Sequence, residues 1–191
     1  QQQGKRDKRA YKAVRSLFKA PKGYSWICFD WASFEFRVLS HYSQDLKLEK
    51  AYNKDPDLDF HQVVADMAGI DRQAAKTINF GLAFGMGEFR LGKELGLNEE
   101  ETIQLFETYH KKFPTIKNFL KIASAIGAKR GYVKTILGRK IRFPDKKLCY
   151  KAGALIFQGS ASDIMKKKII EFNKDNYLQS QGCQLLLIVH D

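Results

Sequence analysis

Apolar residues recur every three or four positions over most of this chain. The recurrence predicts a helical middle flanked by two short apolar runs of strand length. Residues 1–22 are basic and read as partly helical, with Val14, Leu17 and Phe18 as anchoring positions. Pro21 and Gly23 mark a turn. Tyr24 to Trp31 reads as a buried strand. Residues 36–52 look helical, Asp55-Pro56-Asp57 forms a loop, and residues 60–68 form a helix ended by Gly69. A helical pattern runs from Arg72 to about Phe84. Asn98 caps a helix reaching Tyr109, with Glu99, Glu100 and Glu101 in its first turn, where the helix dipole favours negative charge. Pro114 breaks it. A helix over 116–129 closes at Gly131, residues 132–143 alternate as a hairpin about Gly138, and 150–177 reads mostly as one long helix. Leu185 to Val189 is the second apolar run, followed by His190-Asp191. Neither internal repeats nor low-complexity segments interrupt the pattern.

Two strands, each finishing at an acidic residue, with helices between them, predict an α+β fold. Adjacent strands would bring Asp30 and Asp191 to one sheet edge. Two carboxylates there can hold two magnesium ions about 4 Å apart, the arrangement that drives in-line phosphoryl displacement. Two unrelated turn aspartates would give the same pattern. On the central helix, Arg72, Lys76, Phe80 and Phe84 follow one another at i+4 steps, so one face carries two cations and then aromatic rings. Such a stripe suits a nucleoside triphosphate, cations on phosphate and ring against sugar and base. A core-facing Phe pair beside a solvated basic end fits the same spacing.

Charge narrows the choice. The 191 residues carry 33 Lys and Arg against 21 Asp and Glu, a net charge of +12. That excess favours a polyanionic partner, most simply nucleic acid, although a merely basic surface would also account for it. Hydrophobic residues, at 44%, are enough for a sizeable core. Cys28, Cys149 and Cys183 are scattered without metal-ligand spacing, which argues against structural zinc and for free thiols in a reducing compartment. No apolar run approaches a membrane span of about 20 residues, so no membrane partner is expected. The polar, basic start lacks a signal peptide and reads like the middle of a longer protein.

Several blocks carry a family resemblance. Asp30-Trp31-Ala32-Ser33-Phe34-Glu35-Phe36-Arg37-Val38-Leu39-Ser40-His41 resembles D-Y-S-x-I-E-x-R-x-x-A-H, motif A of family A DNA polymerases, the DNA polymerase I type. The stretch from Arg72 to Gly85 resembles motif B, R-x-x-x-K-x-x-x-F-G-x-x-Y-G. Val189-His190-Asp191 resembles the start of motif C, V-H-D-E. Asp59-Phe60-His61 is similar to D-I-H, residues 130–140 to R-G-Y-V-x-T-x-x-G-R-R, and residues 158–166 to Q-G-T-A-A-D-x-x-K. The resemblance runs from about Arg15 to Asp191.

The resemblance implies a polymerase palm with a small antiparallel sheet and a mostly helical fingers subdomain, the thumb being absent. Residues 1–52 would form the first part of the palm, 53–131 the fingers and 132–191 the second part of the palm. It implies template-directed DNA synthesis from dNTPs on primer-template DNA, with two Mg2+ ions (or Mn2+) held by Asp30, Asp191 and the Trp31 carbonyl. Arg72, Lys76 and His61 would hold the triphosphate, Phe80 would pack by the sugar, and Phe84 would stand where the family usually has Tyr. Glu35 would exclude a 2′-hydroxyl, which argues against a single-subunit RNA polymerase. Arg15, Arg139 and Lys140 would contact duplex backbone, while Arg37 and Gln158 would support the nascent pair and metal site. His190 would orient the primer terminus or only pack. A bacterial or viral cytoplasmic setting follows. The palm is expected to need a second chain or a following segment, leaving the isolated chain weak or inactive. A non-catalytic DNA-binding module is the reading from another class; Asp30, Arg72 and Lys76 argue against it.

Overall fold

A computed structural model describes residues 12–14 and 16–188. Two compact units divide the chain, residues 1–30 and residues 31–191. In the first, the described part is a helical turn at 12–14 followed by irregular chain, with Phe18 against Trp26 (ring centroids 6.3 Å apart) and the Trp26 indole N–H donating to Cys28 Sγ at 3.0 Å. Val14, Leu17 and Phe18, read as anchors, are exposed.

The second unit is helical around one small sheet: α1 Phe34–Ser43, α2 Leu46–Lys54, α3 Phe60–Ala68, α4 Arg72–Ala83, α5 Glu88–Leu95, α6 Glu99–Lys112, α7 Pro114–Arg130, β1 Tyr132–Lys134, β2 Lys140–Arg142, a 3-10 helix Lys146–Lys151, α8 Ala152–Lys174 and α9 Asn176–Ser180. Side-chain caps account for many of the starts. Asp45, Asp59 and Asp71 each accept two backbone N–H bonds at the heads of α2, α3 and α4. Asn98 and Glu101 form a full capping box on α6. Pro114 opens α7 at its first position, where a missing N–H costs nothing, so it starts a helix as well as ending one.

The expected helix over 36–52 is two helices, because Gln44 turns left-handed (φ 52°) and Asp45 caps a new start. The hairpin is as expected: Tyr132 pairs with Arg142 and Lys134 with Lys140, and Gly138 takes φ 84° in the turn, a conformation that favours glycine. The short α5, with Gly92 in its middle, has no counterpart in the sequence pattern as read. The long terminal helix ends at Lys174, where Asp175 caps the short α9.

Two expectations fail. Tyr24 to Trp31 is neither a strand nor buried; Ile27 is 75% and Phe29 72% exposed. Residues 185–188 are likewise irregular, with Leu186, Leu187 and Ile188 exposed; Val189 lies outside the described residues. A strand is defined by its partner's hydrogen bonds. Among the described residues the only ladder is β1 with β2, so neither apolar run has a neighbour to pair with.

The main core joins α1 through α8. Phe60 sits at its centre, 1% exposed, between Phe36 (5.0 Å) and Phe113 (5.2 Å). Burying one such ring stabilises by about 1.5–3 kcal/mol. A second cluster lies where α7 and α8 meet β1 and the 3-10 helix. Gly153 lets α8 press against α7, since a Cβ there would collide with the Leu120 side chain.

Candidate nucleotide-binding face on α3 and α4

The α3–α4 pair sets the face that the motif B residues line. Asp59 Oδ1 accepts from the backbone N–H groups of His61 (2.9 Å) and Gln62 (3.2 Å), while Oδ2 accepts from Arg72 Nε at 2.5 Å. One carboxylate therefore caps α3 and ties it to the first residue of α4. Burial pushes the Asp59 carboxyl upward, but the bonds from Arg72, Gln62 and His61 outweigh it and hold it below its ordinary value.

Along α4 the side chains divide as the spacing predicts. Ala75, Ile78, Asn79 and Leu82 are buried. Arg72 is exposed, and Lys76, Phe80 and Phe84 are half-buried. The Lys76 ammonium lies 5.9 Å from the Phe80 ring centre. Phe80 contacts Phe36 (5.3 Å), His61 (5.4 Å) and Phe84 (5.6 Å), and Phe84 stacks on Phe157 of α8. The rings are braced by the core, and the cations at the head of the helix reach solvent.

His61 is brought into the same cluster. Its ring meets Phe36 edge-on at 5.0 Å, and its Nδ1 lies 3.0 Å from Asn79 Nδ2. Burial, with help from Lys76 and Arg72 and against Asp59, depresses its pKa to about 4. Burial and Lys117 depress His110 on α6 to about 4 as well. Both groups are neutral in the fold where their unfolded counterparts, near 6.5, take up protons. The stability tied to them is whole above about pH 6.5 and is lost progressively as pH falls toward 4. The melting temperature is expected to drop across that window, and to drop less in the His61→Gln, His110→Gln double variant. Identical pH profiles for the two proteins would refute this.

The other expected site residues lie elsewhere. Glu35 is half-buried on α1 between the buried Phe34 and Phe36. Trp31 stacks on Phe34 at 5.0 Å. Arg37 is turned onto the protein itself: its guanidinium donates to the Ala32 carbonyl (2.8 Å) and the Pro56 carbonyl and covers the Tyr52 ring at 4.5 Å. Burial, partly offset by Ser33 and Arg37, pushes that tyrosine up to about 12. Arg139 is also engaged, with Asp163 (2.8 Å) and the Gly159 carbonyl (3.0 Å). Lys140 is exposed beside Tyr132, and Gln158 is half-buried on α8.

Asp30 is exposed in the first unit and makes no hydrogen bond or ion pair with a described residue. A hard carboxylate oxygen left uncommitted suits magnesium. Arg15, His190 and Asp191 lie outside the described residues. Among the described residues there is no cluster of three or more His, Cys, Asp or Glu that could hold a metal. No described helix is long and apolar enough to cross a membrane.

Sequence reasoning missed Asn79, Asp163, Thr135 and Ser160 as organising residues. The signal for Asn79 was present: a polar side chain three residues after Lys76, on the face shared with Ala75, Ile78 and Leu82.

The model of DNA polymerase family A matches residues 2–191. The whole chain is 37% identical, over 219 aligned residues, to DNA polymerase DpoZ of Acinetobacter phage SH-Ab 15497, of which it spans 35%. It is 32% identical over 200 residues to DNA polymerase I of Pseudomonas aeruginosa, covering 93% of this chain and 21% of that protein. Among solved structures, the POL domain of Pol1 from M. smegmatis, in complex with DNA primer-template and dNTP, superposes with a TM-score of 0.73 at 27% identity. That match covers 85% of this chain and 31% of the other.

Proposed function

Because the chain belongs to DNA polymerase family A, we propose that it supplies part of a catalytic core for template-directed DNA synthesis. The primer 3′-hydroxyl attacks the α-phosphorus of a dNTP, and pyrophosphate leaves. The observation that carries this reading is the meeting of Arg72, Lys76, His61 and Phe80 on one α3–α4 face.

Arg72 and Lys76 take the triphosphate tail, the first as a fork and the second as a compact point charge. His61 adds a neutral hydrogen-bond donor, and Phe80 packs against the sugar. Lys76 offsets the charge that develops on the departing pyrophosphate. Phe84 lies toward the base, and Glu35 excludes a 2′-hydroxyl. Asp30, Asp191 and the Trp31 carbonyl would hold two Mg2+ ions (Mn2+ as a substitute), which when bound activate the attacking oxygen and neutralise the leaving one. Arg15, Lys140 and Arg139 meet the phosphates of primer-template DNA, so its affinity falls as salt rises. Arg37, Gln158 and His190 position the strand ends and the nascent pair. In this reading residues 1–52 and 132–191 are palm, residues 53–131 are fingers, and the work is replicative, in the cytoplasm of a bacterium, phage-infected or not.

The test is a chimera in which residues 1–191 replace the matching segment of the Acinetobacter phage polymerase. It is expected to extend a primer with dNTPs and to reject rNTPs. Lys76→Ala in that chimera is expected to lower kcat/KM by about a hundredfold, the scale of losing one transition-state charge contact. A folded chimera without extension, or one indifferent to Lys76, would overturn the reading.

A further inference from the structure

Asn79 is 0% exposed on α4, yet it belongs to neither the cations nor the rings of the stripe. Its amide nitrogen lies 3.0 Å from His61 Nδ1, and its amide oxygen is buried without a partner. We propose that Asn79 is a positioning residue that fixes His61 as its Nε2–H tautomer, making that nitrogen an oriented donor to a phosphate oxygen of the bound nucleotide. The phosphate part of this rests on the nucleotide reading above; the tautomer part stands without it.

A neutral imidazole carries one N–H and one lone pair, so the partner of one nitrogen dictates the state of the other. With the amide N–H pointing at Nδ1, Nδ1 accepts and the proton sits on Nε2. The reversed amide would set its oxygen on Nδ1–H, but would bury an NH2 group with no acceptor in place of a single carbonyl oxygen. Orphaned buried N–H groups are the rarer and costlier case.

Burial keeps the ring neutral against the opposing charge of Asp59. Arg72 and Lys76 oppose an imidazolium, Asp59 favours one, and burial decides for the neutral ring. A neutral His61 can donate toward phosphate only if the proton is already on the nitrogen that Asn79 does not face. The ring itself is held by Phe36 at 5.0 Å and Phe80 at 5.4 Å, so the donor direction is fixed by packing as well.

Two-bond 1H–15N correlation spectra of the 15N-histidine-labelled chain report the tautomer directly. His61→Gln identifies its signals among the four histidines. At neutral pH wild-type His61 is expected as Nε2–H. Asn79→Leu, similar in size but without a donor, should give a tautomer mixture and weaken binding of inorganic triphosphate about fivefold to tenfold, the scale of one aligned hydrogen bond. A wild-type ring protonated at Nδ1, or a tautomer unchanged by Asn79→Leu, overturns the proposal. Should the leucine variant fail to fold, the wild-type tautomer and its response to triphosphate still decide. The expected tautomer with an Nε2–H signal that triphosphate leaves unmoved would instead overturn the nucleotide reading, and with it the phosphate role of that donor.

Discussion

Asp30→Ala in the chimeric polymerase is expected to reduce primer extension by about a thousandfold or more, with the melting temperature unchanged. The first half follows from the proposed role. A carboxylate that holds a catalytic ion contributes several kcal/mol of transition-state stabilisation, and each 1.36 kcal/mol is a factor of ten in rate. The second half follows from the structure. Asp30 is exposed and bonded to no described residue, so truncating it breaks no interaction among the described residues. Steady-state extension assays beside thermal melts separate the two effects. Full activity in the alanine variant would remove Asp30 from the chemistry, and a large fall in melting temperature would assign it a structural task instead.

Asp163→Ala is expected to do the reverse, costing about 2–4 kcal/mol of stability through lost charge-assisted hydrogen bonds. Asp163 is 7% exposed on α8 and receives bonds from Thr135 Oγ1 (2.6 Å) and Arg139 Nε (2.8 Å). The same cluster continues through Ser160, whose hydroxyl accepts from Ile136 N–H at 2.9 Å and lies 2.8 Å from Tyr42 Oη. Burial pushes the Asp163 carboxyl up, but Thr135 and Arg139 outweigh it and leave it below its ordinary value. Its contribution is therefore present at neutral pH and is lost as pH falls through the acidic carboxylate range. Arg139 is about half exposed and can recover water when its partner is removed, which keeps the loss below that of a fully buried pair. A drop in melting temperature of roughly 10 °C is the measurable outcome for a domain of this size. A drop of only a degree or two would show that the hairpin is held by packing alone.

The helices were legible because their signals are local. Asn98 announces its helix by side-chain capping, and Gly69, Gly131 and Gly138 announce helix ends and turns, whatever lies around them. The two apolar runs, over 24–31 and the described residues 185–188, were misread because a strand cannot be inferred from its own residues when its partner is unknown. The motif B stripe was legible as a spacing, since Arg72, Lys76 and Phe80 fall on one side of any helix. What the spacing could not give was commitment. Arg37 and Arg139 look like free cations in the sequence and in the fold also bond protein carbonyls and a carboxylate. Asn79 and Asp163 look like ordinary polar residues, and their importance comes from burial, which arises only once α3 meets α4 and the hairpin meets α8.

The cluster around Ser160 also imposes an order of events during synthesis. Its hairpin contacts close loops of 24 to 28 residues, whereas Tyr42 and Ser160 are 118 residues apart. Loop-closure entropy rises only slowly with that distance, so the delay is set by supply. A ribosome adding about 5–20 residues per second needs on the order of ten seconds to deliver Ser160 after Tyr42 has emerged. For that interval α1 exists without the α8 surface it will pack against, and Tyr42 lacks its Ser160 partner. The hairpin and α8, made together, have no such wait. Helix α1 is thus completed by a residue synthesised 118 positions after Tyr42.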